Sequence, residues 1–388
     1  MNILLHDFGS YIQPDLIAYL TRMGHHCRNL VYPRPDPAID DYFEKYVTAC
    51  LKTGAYDCVI STNFHPLLAR ICYQYNIKYL AWSYDSPISK DHMEYYAHPT
   101  SYIFLFDAAE VEEFRNLGFH NVYHLPLAVN TNRLSAIPIT DADKKRFSCD
   151  VSFVGRLYQS KLNDILAHQS DYTIGYINAL TDAQFKLVGF PLLDDVIDEA
   201  LLLHVNDTLT KQGIVYHSGE KEGITKAALS LCITNQITHN ERLILLRLLN
   251  RFCHVHLYSD ERIEQLSEVP FCGPVTYCIE MPKVFRLSKI NLCPTARGIR
   301  SGLPLRMLDI IGAGGFLLGN AQPELADYFR PNVDIVCYHS VEDAVEKAKY
   351  YLSHEDERLR IQQNSYAIVK ERFSYPERIA TMFQTAGL

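Results

Sequence analysis

Long apolar runs are missing from this chain: no stretch approaches the ~18 residues that a membrane-crossing helix needs. The opening residues, Met1-Asn2-Ile3-Leu4-Leu5-His6, also lack the basic and apolar regions of a secretory leader. A soluble, cytoplasmic protein is expected. Basic blocks are absent as well. The formal charge is −8 and its acidic and basic residues are mixed along the chain, without the basic stripe that neutralises a phosphate backbone. Nucleic acid is therefore not an expected partner. The 11 cysteines include no C-x-x-C pair, and most, such as Cys58, Cys232 and Cys293, sit in apolar segments. They read as reduced, buried thiols, with neither disulfides nor zinc. The histidines are scattered, and His25-His26 or His254 with His256 bring no third and fourth ligand. Asp141-Ala142-Asp143 spells a D-x-D, but it lies in a polar stretch that reads as a solvated loop following no strand. No metal is expected.

What is present is globular. Apolar residues make up 48% and charged residues 21%, which excludes disorder, and 388 residues suit two domains better than one core. Short apolar runs at 2–6, 27–31, 58–61, 78–82, 102–106 and 122–125 alternate with amphipathic stretches at 13–23, 39–53, 66–75 and 109–117. That alternation predicts βαβ units, hence a parallel sheet covered on both faces. Between 128 and 148 the pattern lapses into Asn, Thr, Pro, Asp and Lys, as a linker does, which puts a domain boundary near residue 140. A second series opens at 150–154, passes through a helix-rich stretch at about 161–252, and resumes at 254–257, 290–293, 316–318 and 335–337. The expected fold class is α/β: two doubly wound, Rossmann-like domains, 1–140 and 141–374, whose strand ends face a central cleft.

The most informative segment runs from the strand at 290–293 to the strand at 316–318. Between them lie Ser301-Gly302-Leu303-Pro304-Leu305-Arg306, a short helix carrying Asp309, and a Gly312-Ala313-Gly314-Gly315 turn. Pro304 suits the first helical position, Gly302 permits close backbone approach to a ligand, and the free amides of the helix start make an anion site. A diphosphate needs such donors, and Asp309 is placed to accept hydrogen bonds from a ribose diol. An ordinary crossover with packing glycines is the structural alternative.

Over 289–378 the chain resembles the C-terminal part of the CgeB-like glycosyltransferases, a branch of the group that includes the retaining family-four enzymes. The matching residues are Ser288-Lys289-Ile290-Asn291-Leu292, Gly302-Leu303-Pro304-Leu305-Arg306, Asp309-Ile310, Gly314-Gly315-Phe316-Leu317-Leu318, Glu324-Leu325, Phe329, Tyr350-Tyr351-Leu352, Glu355, Glu357-Arg358 and Arg372-Phe373-Ser374-Tyr375. Trp82-Ser83-Tyr84-Asp85-Ser86-Pro87, Phe106-Asp107 and His124-Leu125-Pro126-Leu127-Ala128 resemble the domain that often precedes this module. The resemblance implies a GT-B fold, with residues 375–388 forming a helix that crosses back to the first domain. One departure stands out. The family-four pattern has two glutamates eight positions apart; with Asp309 in the second place, the first falls on Ser301.

The resemblance also implies that Gly155, Arg156 and Lys161, after the strand at 150–154, meet the donor's phosphates, where guanidinium binds two oxygens at once and Lys adds a point charge. Surface cations at a helix start are the plainer reading. Arg306 either reaches phosphate or pairs with Asp309 three residues on. Asp85, in the loop after 78–82, is placed to orient or deprotonate an acceptor hydroxyl, although Asp is also a routine turn former. The loop 6–13 would lie over the phosphates, and the 273–277 edge would meet the base. The expected activity is glycosyl transfer from a nucleoside diphosphate sugar, with retention and without metal or cofactor. Arg156, Lys161 and the amides of Gly302 to Leu305 would stabilise the diphosphate, and Asp309 would hold the ribose. A sugar nucleotide epimerase and a non-catalytic surface or spore-layer protein are the rivals.

Overall fold

The computed structural model describes residues 1–33, 35, 36, 39–187, 190, 192–218 and 221–388. Six parallel strands make the first sheet: β1 (Asn2–Asp7), β2 (His26–Val31), β3 (Cys58–Thr62), β4 (Lys78–Ser83), β5 (Ser101–Leu105) and β6 (Val122–His124), in the order β2-β1-β3-β4-β5-β6. Position explains composition. β3 and β4 are central and almost wholly buried, so Cys58-Val59-Ile60 and Tyr79-Leu80-Ala81-Trp82 are apolar on both faces. The edge strand β2 buries Leu30 and exposes His26 and Asn29. Its helices start where side chains cap them: Asp40 accepts from the Phe43 amide, and Asp107 from those of Ala109 and Glu110.

The stretch 128–148, read as a linker, contains two short helices, Thr131–Ala136 and Asp141–Phe147. The second opens with a reciprocal cap between Thr140 and Asp143, so the D-x-D lies in a helix's first turn and not in a loop. Asp143 also accepts from Lys283 at 3.0 Å. Those hydrogen bonds, from Thr140 first and then Lys283, hold its carboxyl down at about 2.

The second sheet begins with β7 (Cys149–Val154). After it come a small antiparallel hairpin, β8 (His217–Ser218) and β9 (Lys221–Glu222), then β10 (Val255–Tyr258), β11 (Ser288–Cys293), β12 (Leu317–Asn320) and β13 (Val336–Tyr338). The large sheet is parallel, in the order β10-β7-β11-β12-β13. From β7 the chain winds outward to the edge strand β10, then returns past β7 to β11. A crevice opens at such a reversal, here at the carboxyl ends of β7 and β11.

Within 161–252, where an insertion is expected, the described residues form helices and the β8–β9 hairpin, with 188, 189, 191, 219 and 220 lying outside them. Its helices bury Ile165, Ile177, Val205, Leu229, Ile233 and Ile237 together. The 24-residue helix Lys226–Leu249 serves two cores: its first half packs in the insertion, while Leu245, Leu246 and Leu249 pack on the sheet. Tyr375–Ala386 returns to the first domain, against the helix Gln13–Arg22 and strands β4 and β5. Tyr375 stacks on Tyr19 at 5.1 Å and meets the edge of Trp82 at 6.0 Å. A single core runs through both domains, from Leu80, Trp82 and Phe104 to Phe285, Met307 and Ile379. Full burial of a side chain such as Phe104 contributes on the order of 2–3 kcal/mol.

Candidate functional site

Two loops flank the crevice, one after β7 and one after β11. Gly155 donates to the Tyr258 carbonyl at 3.0 Å, which turns the first loop over the sheet edge. Arg156 and Lys161 beyond it are exposed, and among the described residues neither forms an ion pair. Four consecutive-turn residues of the helix Lys226–Leu249 hold both loops. His239 Nδ1 bonds the Leu157 carbonyl at 2.8 Å, and the Arg242 guanidinium donates to the carbonyls of Arg156 and Pro294, the latter at 2.7 Å. Thr238 accepts from the Arg297 amide at 3.0 Å, and Glu241 pairs with the Arg297 guanidinium at 2.9 Å. This helix falls in the expected helix-rich stretch, but none of these four residues stands among the expected site residues. Its signal was the polar run Thr238-His239-Asn240-Glu241-Arg242 between apolar stretches.

The loop after β11 differs from expectation in two places. A Cβ at Gly302 would lie 2.6 Å from the Phe106 carbonyl oxygen, so the glycine admits the backbone of the first domain and not a ligand. Pro304, with φ −67° and ψ 152°, is the N-cap and not the first helical residue; the helix spans Leu305–Gly312. Leu303 belongs to the shared core. Ser301 is buried, and its hydroxyl meets Asp107 and Glu324. The amides of Leu305 and Arg306 form no hydrogen bond among the described residues and are the open donors of the helix start.

Asp309 lies behind them, buried. The Tyr277 hydroxyl donates to its Oδ1 at 2.9 Å, and Arg306 to its Oδ2 at 3.2 Å, so Arg306 pairs with Asp309 in this state. Burial raises the carboxyl to about 6, against the opposing pull of Arg306 and the Tyr277 hydroxyl. Tyr277 comes from the 273–277 edge. Its ring is stacked at 5.3 Å by Tyr11, from the loop after β1, and Arg133 lies 6.0 Å from its centroid. Arg133 is in turn clamped by Asp15 at 2.8 Å. Tyr277 thus covers Asp309, and Tyr11 of the first domain covers Tyr277.

Across the cleft, Asp85 follows β4 and is exposed. Asn63 orients it: Nδ2 donates to the Asp85 carboxylate at 2.7 Å, while Oδ1 accepts the amides of Tyr84 at 2.8 Å and Asp85 at 3.2 Å. Asn63 adopts φ 66°, a left-handed conformation that Asn tolerates better than most residues. The loop meets its opposite number directly, since a Cβ at Gly298 would sit 2.8 Å from Pro87. Nearby His6 and His65, with ring centroids 4.8 Å apart, are held neutral by burial, at about 4 and about 3.

Residues 241–384 match a family model described as glycosyl transferase-like. The fold matches solved structures along almost its whole length. Anabaena HepE in complex with UDP and glucose aligns at TM-score 0.57 and 10% identity, over 100% of this chain and 99% of that one. A glycosyltransferase from Rickettsia africae aligns at 0.54 and 11%, over 99% and 98%. The sucrose-phosphate synthase of Thermosynechococcus elongatus gives 0.54 and 11%, over 99% and 98%. The fold is GT-B.

The segment matched by the family model lies in the second domain and the returning helix. That segment starts inside the helix Lys226–Leu249, at the residue that pairs with Arg297, and holds the loop after β11, Asp309 and most of the returning helix. No curated protein sequence matches the chain. Among the described residues, no helix is long and apolar enough to cross a membrane, and no group of three or more His, Cys, Asp or Glu could hold a metal ion.

Proposed function

We propose that this GT-B protein transfers a sugar from a nucleoside diphosphate sugar on its second domain to an acceptor hydroxyl on its first. What supports the reading is two open amides at the helix start after β11 with a buried carboxylate behind them, together with exposed cations that form no ion pair in the loop after the neighbouring strand β7. In the reaction the acceptor oxygen bonds to the anomeric carbon on the face from which the diphosphate departs, as the bond from that carbon to the β-phosphate oxygen breaks. The electron pair leaves on the diphosphate, where Arg156, Lys161 and the Leu305 and Arg306 amides stabilise it. Asp85, held by Asn63, takes the acceptor proton. Asp309 accepts from the ribose once the Tyr277 hydroxyl gives up Oδ1. No cofactor or metal takes part in this scheme.

The resemblance to CgeB-like and family-four enzymes supports retention of configuration. Uridine nucleotides are the first donors to try, since HepE has been crystallised with UDP-glucose. The test is a thermal-shift and nucleotide-release screen over UDP, GDP, dTDP and their sugars. The expected result is a rise in melting temperature with one nucleotide, lost in Asp309→Ala and kept in Tyr277→Phe. No release from any donor would sink the enzymatic reading, and donor conversion without acceptor would replace transfer by epimerisation.

A further inference from the structure

Ser301 stands where the family-four pattern has its first glutamate, and its hydroxyl is used up between the domains. Oγ lies 2.7 Å from Asp107 Oδ1 in the first domain and 2.7 Å from Glu324 Oε1 in the second, and it accepts the Ala109 amide at 3.0 Å. A hydroxyl has one proton, so the two carboxylates compete for it and all three groups are tied together. The remaining bonds cross in both directions. Asp107 Oδ2 accepts the Arg300 amide at 2.6 Å and the Ser301 amide at 3.2 Å. Glu324 accepts the Ala108 amide at 2.8 Å and His124 Nε2 at 2.9 Å. Arg300 reaches the Ala109 carbonyl at 3.1 Å and Glu113 at 2.5 Å. Asp107, Ser301 and Glu324 are all buried, and the backbones at Gly302 and Phe106 touch. Burial opposes a charge on His124, but Glu324 outweighs it and holds the ring above its usual value, which favours the ion pair.

Position gives this cluster its meaning. Asp107 follows β5 and His124 ends β6, the neighbouring edge strand. Both chain crossings run beside that edge: the Val129 amide donates to the Phe373 carbonyl at 3.0 Å, and Arg378 to the Pro126 carbonyl at 3.0 Å. Tyr11 and Tyr277, by contrast, meet over the loop that follows β1, toward the opposite side of the sheet. We propose that Asp107, Ser301, Glu324 and His124 form a clasp that pins one edge of the domain pair, so that the cleft opens by rotation about it at the Tyr11–Tyr277 side. Ser301 is then a conformational residue, and its position no longer serves the sugar.

The test is amide hydrogen exchange and X-ray scattering on the full chain, with and without UDP. Neither readout depends on turnover, so failure of the clasp and failure of the transferase reading are distinguishable. In the parent chain the amides of Ala108, Ala109, Arg300 and Ser301 should stay protected together under both conditions. Ser301→Glu, which puts a third carboxylate between two, should speed exchange at the three unmutated amides at least tenfold and enlarge the radius of gyration. Glu324→Gln, which keeps shape and fold, should speed Ala108 and Arg300 together, whereas Ser301→Thr should leave all four protected. Full protection and an unchanged radius in Ser301→Glu would overturn the clasp, as would loss of protection confined to Ala108 in Glu324→Gln.

Discussion

Ser301 and Asp309 begin and end one short segment, and both are buried, at 8% and 4% exposure. Their partners differ. Among the described residues Asp309 bonds to its own domain, through Tyr277 and Arg306, whereas Ser301 shares its hydroxyl between Asp107 of one domain and Glu324 of the other. A buried carboxylate partnered inside its own domain keeps those partners when the domains move apart. A hydroxyl partnered across the boundary reports on domain position. One short segment thus has one end partnered within its domain and the other end partnered across the boundary.

The comparison can be broken most severely at Asp309. Asp309→Ala leaves the Arg306 guanidinium and the Tyr277 hydroxyl facing a gap, and should cost about 3–5 kcal/mol of stability by urea unfolding, besides abolishing nucleotide-induced stabilisation. A mild variant, Asp309→Asn, tests the charge itself. Because burial raises the Asp309 carboxyl to about 6, the folded state binds the proton more tightly than the unfolded one. Stability from this group is therefore present at low pH and lost as pH rises from about 4 to about 6, by on the order of 2–3 kcal/mol. Asp309→Asn should remove that slope from a pH series of melting temperatures. Glu110, raised by burial to about 7, adds a slope of the same sign that persists in the variant. The buried His6 and His65 act oppositely: their contribution is full above about pH 6.5 and fades as pH falls below it.

Smaller effects sharpen the contrast. Arg156→Ala removes an exposed cation with no ion pair, so stability should stay within about 0.5 kcal/mol while kcat/KM falls about tenfold to a hundredfold. An equal loss of stability would make Arg156 a packing residue. Smallest of all, Tyr277→Phe should cost about 1 kcal/mol for one hydrogen bond and tighten nucleotide binding by freeing Asp309 Oδ1; weaker binding would mean that the hydroxyl serves the ligand.

Both sheets were legible because parallel strands buried on two faces read as apolar runs, and Asp309 because a strand, a glycine turn and a short helix are contiguous in sequence. What escaped depended on contacts between distant segments. Tyr277 gave no sign of reaching Asp309, 32 positions on, and Glu324 and His124 gave none of meeting across the domain boundary. Gly302 was assigned to a ligand because a glycine reports that something comes close and not what it is. The helix at Asp141–Phe147 was missed although its cap, Thr140 with Asp143, is local; the surrounding polar composition outweighed it.

The returning helix has a consequence for synthesis. Tyr375 and Phe383 complete a core whose other members, Trp82 and Phe104, leave the ribosome far earlier. Until the helix arrives, β4 and β5 carry an uncovered apolar face while the entire second domain is being made. The second domain is in effect an insertion within the first, so the shared core is completed only after the whole of the second domain has been made.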